Sequence, residues 1–135
     1  MRFAFPIALS SMLVMLSGPA HAEGDAKKGH TVFSLRCLSC HAMECNKNGP
    51  LLRGIVGQKA ALASAYPYYS TALKNSDVVW SEDVLDRMMV APDKFLPGWG
   101  MAGIAFLSKV DDAAQRQDVI AFLKSGDTSL DNCPR

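Results

Sequence analysis

The segment Cys37-Leu38-Ser39-Cys40-His41 constrains this chain more than any other feature. Two cysteines at this spacing, followed at once by a histidine, are the pattern of covalent haem attachment, in which each thiol adds to a vinyl group and the imidazole binds the iron. A CxxC pair also occurs in zinc sites and in redox-active dithiols. Zinc needs further ligands, and Cys45 and Cys133 form no second closely spaced pair. No strand-to-helix pattern surrounds the motif, so the sequence favours a haem-attached fold.

Residues 1–22 have the pattern of a secretory signal peptide. Arg2 precedes an apolar run that continues through Leu16, and Ala20-His21-Ala22 fits the small-residue rule for cleavage. The apolar run is short for a membrane span, and an uncleaved anchor is the alternative. Cleavage would leave residues 23–135 as one small domain. We therefore expect a periplasmic protein with no stable insertion into the membrane.

The charge balance argues against a nucleic-acid partner. The chain has 14 Lys and Arg and 13 Asp and Glu residues, and loss of residues 1–22 removes Arg2 and no acidic residue, which leaves 13 of each sign. Domains that bind nucleic acid carry a basic patch or stripe, and the sequence has none that is evident.

The first half of the mature chain predicts one helix followed by a long loop. The helix is expected from about Asp25 to Leu38, with Asp25 as its N-terminal cap, so that it delivers the cysteine motif at its end. Residues 42–67 show no periodicity and are punctuated by glycine and proline. A loop of this length is unusual in a small domain unless it encloses something, such as a cofactor.

The second half predicts further helices and no strands. Ser81 is a suitable cap and Pro92 a suitable stop for one of them. Between Pro92 and about Val110 we expect an irregular stretch. No segment shows the alternation of a strand, so the fold class is predicted to be all-α. The helices are expected at about 69–74, at 81–90 and after Asp111 or Asp112.

In this order, the motifs resemble those of class I cytochrome c over residues 24–125. Each motif alone is weak, but together and in the same order they are specific. The resemblance implies a small all-α cytochrome c fold, with helices wrapped around one covalently attached haem c and long connecting loops. The motifs are the CxxCH segment after the first helix, Gly49-Pro50-Leu51-Leu52, Val79-Trp80, the helix ending at Pro92, Phe95-Leu96-Pro97-Gly98 through Met101, and Asp118-Val119-Ile120-Ala121-Phe122-Leu123.

The resemblance also implies a role for individual residues. Gly29 would let the first helix approach the last one near Phe122. The expected site comprises Cys37 and Cys40 as thioether anchors, His41 and Met101 as axial iron ligands, Pro50 as the carbonyl that fixes the His41 ring, and Tyr69 and Trp80 as hydrogen-bond donors to a haem propionate.

Around Met101 the chain departs from the family pattern. Residues 102–106 resemble a short insertion, and placing that insertion before the ligand would put Ile104, which cannot bind iron, at the ligand position. Met88 stands where the family commonly has an aromatic residue, and its thioether could compete with Met101 or tune it. Any methionine can also be core filler. We favour Met101 because its spacing from Pro97 and from Trp80 fits the family.

Two cysteines and one histidine remain outside this set. In an exported protein, Cys45 and Cys133 are expected to form a disulfide that pins the C-terminal tail to the loop after the haem motif. Intermolecular pairing and free thiols are the alternatives. His30 is expected to be a solvated surface residue of the first helix.

The resemblance implies a monomeric electron carrier rather than an enzyme. It would shuttle electrons from a dehydrogenase or quinol-oxidising complex to an oxidase or reductase, with Leu38 and Ser39 among its contact points. Two alternatives stay open. One is a haem protein with a labile or open sixth site, which binds gases or is a weak peroxidase. The other is a dedicated electron acceptor of one periplasmic dehydrogenase.

Overall fold

The computed structural model describes residues 23–62 and 65–133, and the signal peptide predicted for residues 1–22 lies outside them. Within the described ranges the chain is helical, with one isolated antiparallel bridge between Lys59 and Val79 and no strands. The all-α prediction is therefore confirmed. The elements are α1 (Ala26–Arg36), α2 (Thr71–Lys74), α3 (Glu82–Val90), α4 (Pro92–Phe95), a 3₁₀ turn (Ala102–Ile104), α5 (Ala105–Ser108) and α6 (Ala113–Ser125).

The longer helices begin at the polar residues that the sequence indicates. The side chain of Asp25 accepts hydrogen bonds from the first-turn N–H groups of α1, Ser81 does the same for α3, and Asp112 for α6. Each cap satisfies backbone donors that would otherwise lack a partner in the helix. Gly126 ends α6 with φ at 68°, a left-handed conformation that glycine adopts without strain.

Helices α1 and α6 form the main packing contact of the fold. A Cβ atom on Gly29 would lie 1.9 Å from the backbone oxygen of Asp118, so only glycine allows this approach. Phe33 and Phe122, both fully buried, meet with their ring centroids 5.0 Å apart. Burial of each such ring stabilises the fold by about 1.5–3 kcal/mol. The Asp118 carboxylate also accepts a 2.7 Å hydrogen bond from the Asp25 N–H.

The prediction of an irregular stretch from Pro92 to Val110 was wrong in part. Pro92 does not only follow α3: it is the first residue of α4, where its fixed φ suits a helix and its missing N–H costs nothing. Further along, the 3₁₀ turn and α5 occupy the segment predicted as an insertion. These elements are too short to show a periodicity that a sequence can reveal.

The prediction that His30 is simply solvated was also wrong. The side chain is half-buried and its ring meets Phe122 edge-on, with centroids 5.7 Å apart. The cause is the tight α1–α6 contact, which brings Phe122 beside a position one residue after Gly29. His30 is thus part of this helix interface.

Arg116 is a buried cation that the sequence does not reveal. Its Nε donates to the Asp86 carboxylate at 2.8 Å, and its Nη1 donates to the backbone oxygens of Val110 and Asp111. A buried charge is tolerated when it is paired and hydrogen-bonded in this way. The interaction joins α6 to α3 and to the loop that precedes α6.

The C-terminal tail is attached to the loop after the cysteine motif. The structure contains the Cys45–Cys133 disulfide. Beside it, the Asp131 carboxylate accepts hydrogen bonds from the backbone N–H groups of Met43 and Glu44, each at 2.8 Å. None of the described helices has the length and apolar character needed to cross a membrane.

Candidate haem-binding site

A cavity of about 360 Å³ lies between α1, the long loop and the segment that carries Met101. This volume is in the range of small-molecule and cofactor sites. Its wall is mostly apolar, and all the site residues predicted from the sequence contribute to it. They are Cys37, Cys40, His41, Pro50, Tyr69, Trp80 and Met101.

The cysteine motif is held in a turn at the end of α1. The Cys37 N–H donates to the Phe33 backbone oxygen, and the N–H groups of Cys40 and His41 both donate to the Cys37 oxygen. Both thiols are free and half-buried at the cavity wall. Burial, followed by the nearby Cys40, raises the pKa of the Cys37 thiol to about 12. This direction disfavours metal ligation and disulfide exchange by the Cys37 thiol, because both reactions use the thiolate.

His41 is buried and presents one ring nitrogen to the cavity. Its Nδ1–H donates to the Pro50 backbone oxygen at 2.7 Å, which leaves Nε2 with its lone pair available. Burial lowers the pKa of His41 and the charge of Lys47 lowers it further, while the hydrogen bond to Pro50 acts in the opposite direction. The neutral imidazole is the form that binds a metal, and a carbonyl partner fixes the ring and strengthens it as a donor.

Gly49 makes the position of the His41 ring possible. A Cβ at residue 49 would lie 2.4 Å from Cε1 and 2.8 Å from Nδ1 of His41. Any larger residue would therefore displace the ring or the loop. The sequence marks Gly49-Pro50 as loop punctuation and as a family motif, but it does not reveal this contact. The glycine allows the loop to lie flat against the imidazole.

Met101 and Met88 both line the cavity, so the structure brings the predicted ligand and its possible competitor together. Met101 is half-buried, in the turn just before the 3₁₀ segment. Ile104, the residue at the ligand position in the alternative alignment, also contributes to the wall. Trp99, which the sequence analysis did not single out, is buried beside Met101 and donates from its indole N–H to the Pro92 backbone oxygen at 2.7 Å.

Tyr69 and Trp80 reach the cavity from different segments. Trp80 is buried, and its backbone N–H donates to the Gln58 oxygen next to the antiparallel bridge. The Tyr69 ring meets Tyr66 edge-on at 5.1 Å, and the Tyr66 hydroxyl donates to the Asn48 backbone oxygen at 2.5 Å. Aromatic side chains therefore supply an apolar wall that also carries polar tips.

The donor set fits a haem and does not fit zinc. The cavity offers two neighbouring thiols, one imidazole nitrogen and the thioethers of Met88, Met89 and Met101 against a mostly apolar wall. No group of three or more His, Cys, Asp or Glu side chains able to hold a metal ion occurs in residues 23–62 and 65–133. Cys45 and Cys133, the other sulfurs that a zinc site could use, are bridged to each other.

Comparisons with known proteins agree with this chemistry. Residues 26–127 match the family model described as cytochrome c. The chain is 39% identical over 108 residues to cytochrome c type-1 of Ascaris suum, covering 78% of this chain and 92% of that protein. It is 40% identical over 106 residues to cytochrome c of Gibberella zeae, covering 76% and 95%. A solved structure, cytochrome cH from Methylobacterium extorquens, is similar with a TM-score of 0.68 and 37% identity, covering 76% of this chain and 99% of that one.

Proposed function

Because the chain belongs to the cytochrome c family and carries one covalently attached haem c, we propose that it is a soluble periplasmic electron carrier with His41 and Met101 as axial ligands. In this proposal Cys37 and Cys40 form the thioether bonds, and single electrons pass between respiratory or dehydrogenase partners. The observation that carries the proposal is that one cavity wall holds both thiols, the free nitrogen of His41 and the Met101 side chain.

The residues around the cavity support electron transfer rather than substrate chemistry. Haem c, when bound, supplies an iron that accepts and returns one electron. The His41–Pro50 hydrogen bond holds the imidazole in one orientation. The His41 ring would therefore not need to move when the iron changes its charge. A thioether as the second ligand raises the reduction potential relative to harder donors. If His41 and Met101 hold the iron as proposed, these two side chains would leave no ligand position for a substrate.

Part of the cavity wall consists of buried apolar side chains. Phe33, Leu85 and Leu123 are buried and line it together with the aromatic side chains. Closely packed apolar side chains would rearrange little when the iron gains or loses an electron, and a small rearrangement favours rapid electron transfer. The apolar wall also disfavours peroxide chemistry, which needs polar groups near the iron. His30, the one histidine besides His41 in the described part of the chain, packs on Phe122 instead.

The partners are proposed from the same geometry. Leu38 and Ser39 lie between the two thioether positions, and Ser39 is exposed there. A contact centred on them would bring a partner close to the haem edge. Carriers of this kind form small interfaces that separate quickly. We propose a monomer that receives electrons from a dehydrogenase or quinol-oxidising complex and delivers them to an oxidase or reductase.

Optical spectroscopy of the purified holoprotein tests the ligand assignment. We expect the weak far-red ferric band of a methionine–iron bond, and ferrous low-spin bands that carbon monoxide does not change. Met101→Ala should abolish the far-red band, whereas Met88→Leu should keep it. A high-spin wild-type spectrum with rapid carbon monoxide binding would contradict the proposal and favour a haem protein with an open sixth site. Loss of the band in Met88→Leu alone would identify Met88 as the ligand.

A further inference from the structure

Trp99 is buried, although its neighbours in the same loop are exposed. Its side chain is 5% exposed, whereas Pro97, Gly98 and Gly100 all lie at the surface. Met101 follows two residues later and is half-buried at the cavity wall. A single large side chain therefore attaches this loop to the interior of the protein.

The indole of Trp99 is fixed by one hydrogen bond and by two aromatic neighbours. Its Nε1–H donates to the Pro92 backbone oxygen at 2.7 Å in a buried environment. The ring packs against Phe95 at 5.2 Å and against Trp80 at 6.3 Å between centroids. A buried hydrogen bond of this kind is costly to break, because the buried groups lose a partner that water does not replace.

Backbone hydrogen bonds connect the buried Trp99 to the turn that contains Met101. The Trp99 N–H donates to the Leu96 oxygen, and the Ala102 N–H donates to the Trp99 oxygen, each at 3.2 Å. The second bond closes a turn over Trp99, Gly100, Met101 and Ala102. Met101 lies inside that turn, so its direction depends on where Trp99 is held.

We infer that Trp99 is a positioning residue for the axial methionine. Through its hydrogen bond to Pro92 it fixes the turn that carries Met101 and keeps the thioether against the cavity. The inference rests on the proposed ligation by His41 and Met101. Its consequence is that the strength of the indole hydrogen bond controls how readily an external ligand displaces the methionine.

The test measures binding of imidazole to the ferric holoprotein and of carbon monoxide to the ferrous holoprotein. Trp99→Phe keeps an aromatic ring and deletes the N–H donor. We expect imidazole to bind at least about tenfold more tightly to this variant, a factor that corresponds to about 1.4 kcal/mol. We also expect measurable carbon monoxide binding and a weaker far-red ferric band.

Phe95→Leu is the matched control for packing. Phe95 contacts the indole but does not line the cavity or accept its hydrogen bond. This variant should lower the melting temperature and leave the imidazole affinity within about twofold of wild type. If Phe95→Leu raises the imidazole affinity as much as Trp99→Phe does, the effect is one of packing and the inference is wrong.

Two further results separate the possible failures. If Trp99→Phe does not fold, benzothienylalanine at residue 99 replaces the N–H by sulfur at nearly constant shape, and the same increase in imidazole affinity is expected. A wild-type far-red band together with unchanged ligand binding in the residue 99 variants would overturn the inference alone. A wild-type protein without that band would overturn the proposed ligation, and the inference with it.

Discussion

The Cys45–Cys133 disulfide gives a quantitative prediction about stability. It joins residues with a sequence separation of 88, which is most of the described chain. For a loop of this length, the chain-entropy relation gives about 4.6 kcal/mol of stabilisation at 25 °C. The thioethers proposed at Cys37 and Cys40 would not shorten the loop, because both residues precede Cys45 in the chain. We therefore expect replacement of both cysteines by serine to lower the free energy of unfolding by about 4 kcal/mol.

The native state should survive this replacement because the tail has other contacts. The Asp131 carboxylate still accepts from the N–H groups of Met43 and Glu44, and Leu130 packs against the core. Hydrogen bonds to a charged group contribute about 1.5–3 kcal/mol each. The loss of stability should then come from the greater conformational entropy of the unfolded chain, with little change in the folded state.

Denaturant unfolding of holoproteins with equal haem content checks this prediction. The double serine variant should unfold at lower denaturant concentration and with a larger m-value, because its unfolded chain is less compact than the cross-linked one. Its ferric spectrum should match that of wild type. Asp131→Asn with the disulfide intact is the control for the hydrogen bonds alone. A loss below about 1 kcal/mol in the double variant would refute the loop-entropy reasoning.

Two further predictions concern glycines at close contacts. Gly29→Ala places a Cβ 1.9 Å from the Asp118 backbone oxygen and should destabilise the protein by about 1–3 kcal/mol or more. Gly103→Ala is the control, because a Cβ there has no atom within 4 Å, and it should change the melting temperature little. Equal melting temperatures of the two variants would contradict the packing argument. Gly49→Ala places a Cβ 2.4 Å from His41 Cε1. Because the His41 ring would have to move, this variant should show a high-spin fraction in its ferric spectrum. A spectrum identical to that of wild type would show that the loop moves instead of the ring.

The starts of the longer helices could be predicted because their signals are local. Asp25, Ser81 and Asp112 each lie directly before the helix they cap, and the cap contacts span two or three residues. Pro92 was misleading because proline ends one helix and begins another with equal ease. Arg116 gave no signal, since its burial depends on Asp86, which is 30 residues away along the chain.

The site could be predicted in part for a similar reason. The CxxCH motif and the order of the surrounding motifs identify the cofactor, because attachment chemistry fixes the spacing of residues 37–41. The resemblance to the family also indicated the Gly29 approach to the last helix, which the structure contains. The roles of Gly49 and Trp99 were missed. Each depends on a distance between segments, to the His41 ring or to the Pro92 oxygen, that spacing along the chain does not encode.

The contact between α1 and α6 has a consequence for the order in which the protein is completed. A chain is made from its N-terminus, so α1 and the attachment motif exist before α6 does. Val119 and Leu123 of α6 line the cavity. Until they arrive, the cavity lacks part of its wall and the motif is accessible. The cofactor can therefore be joined to an open chain, and the last helix then encloses it.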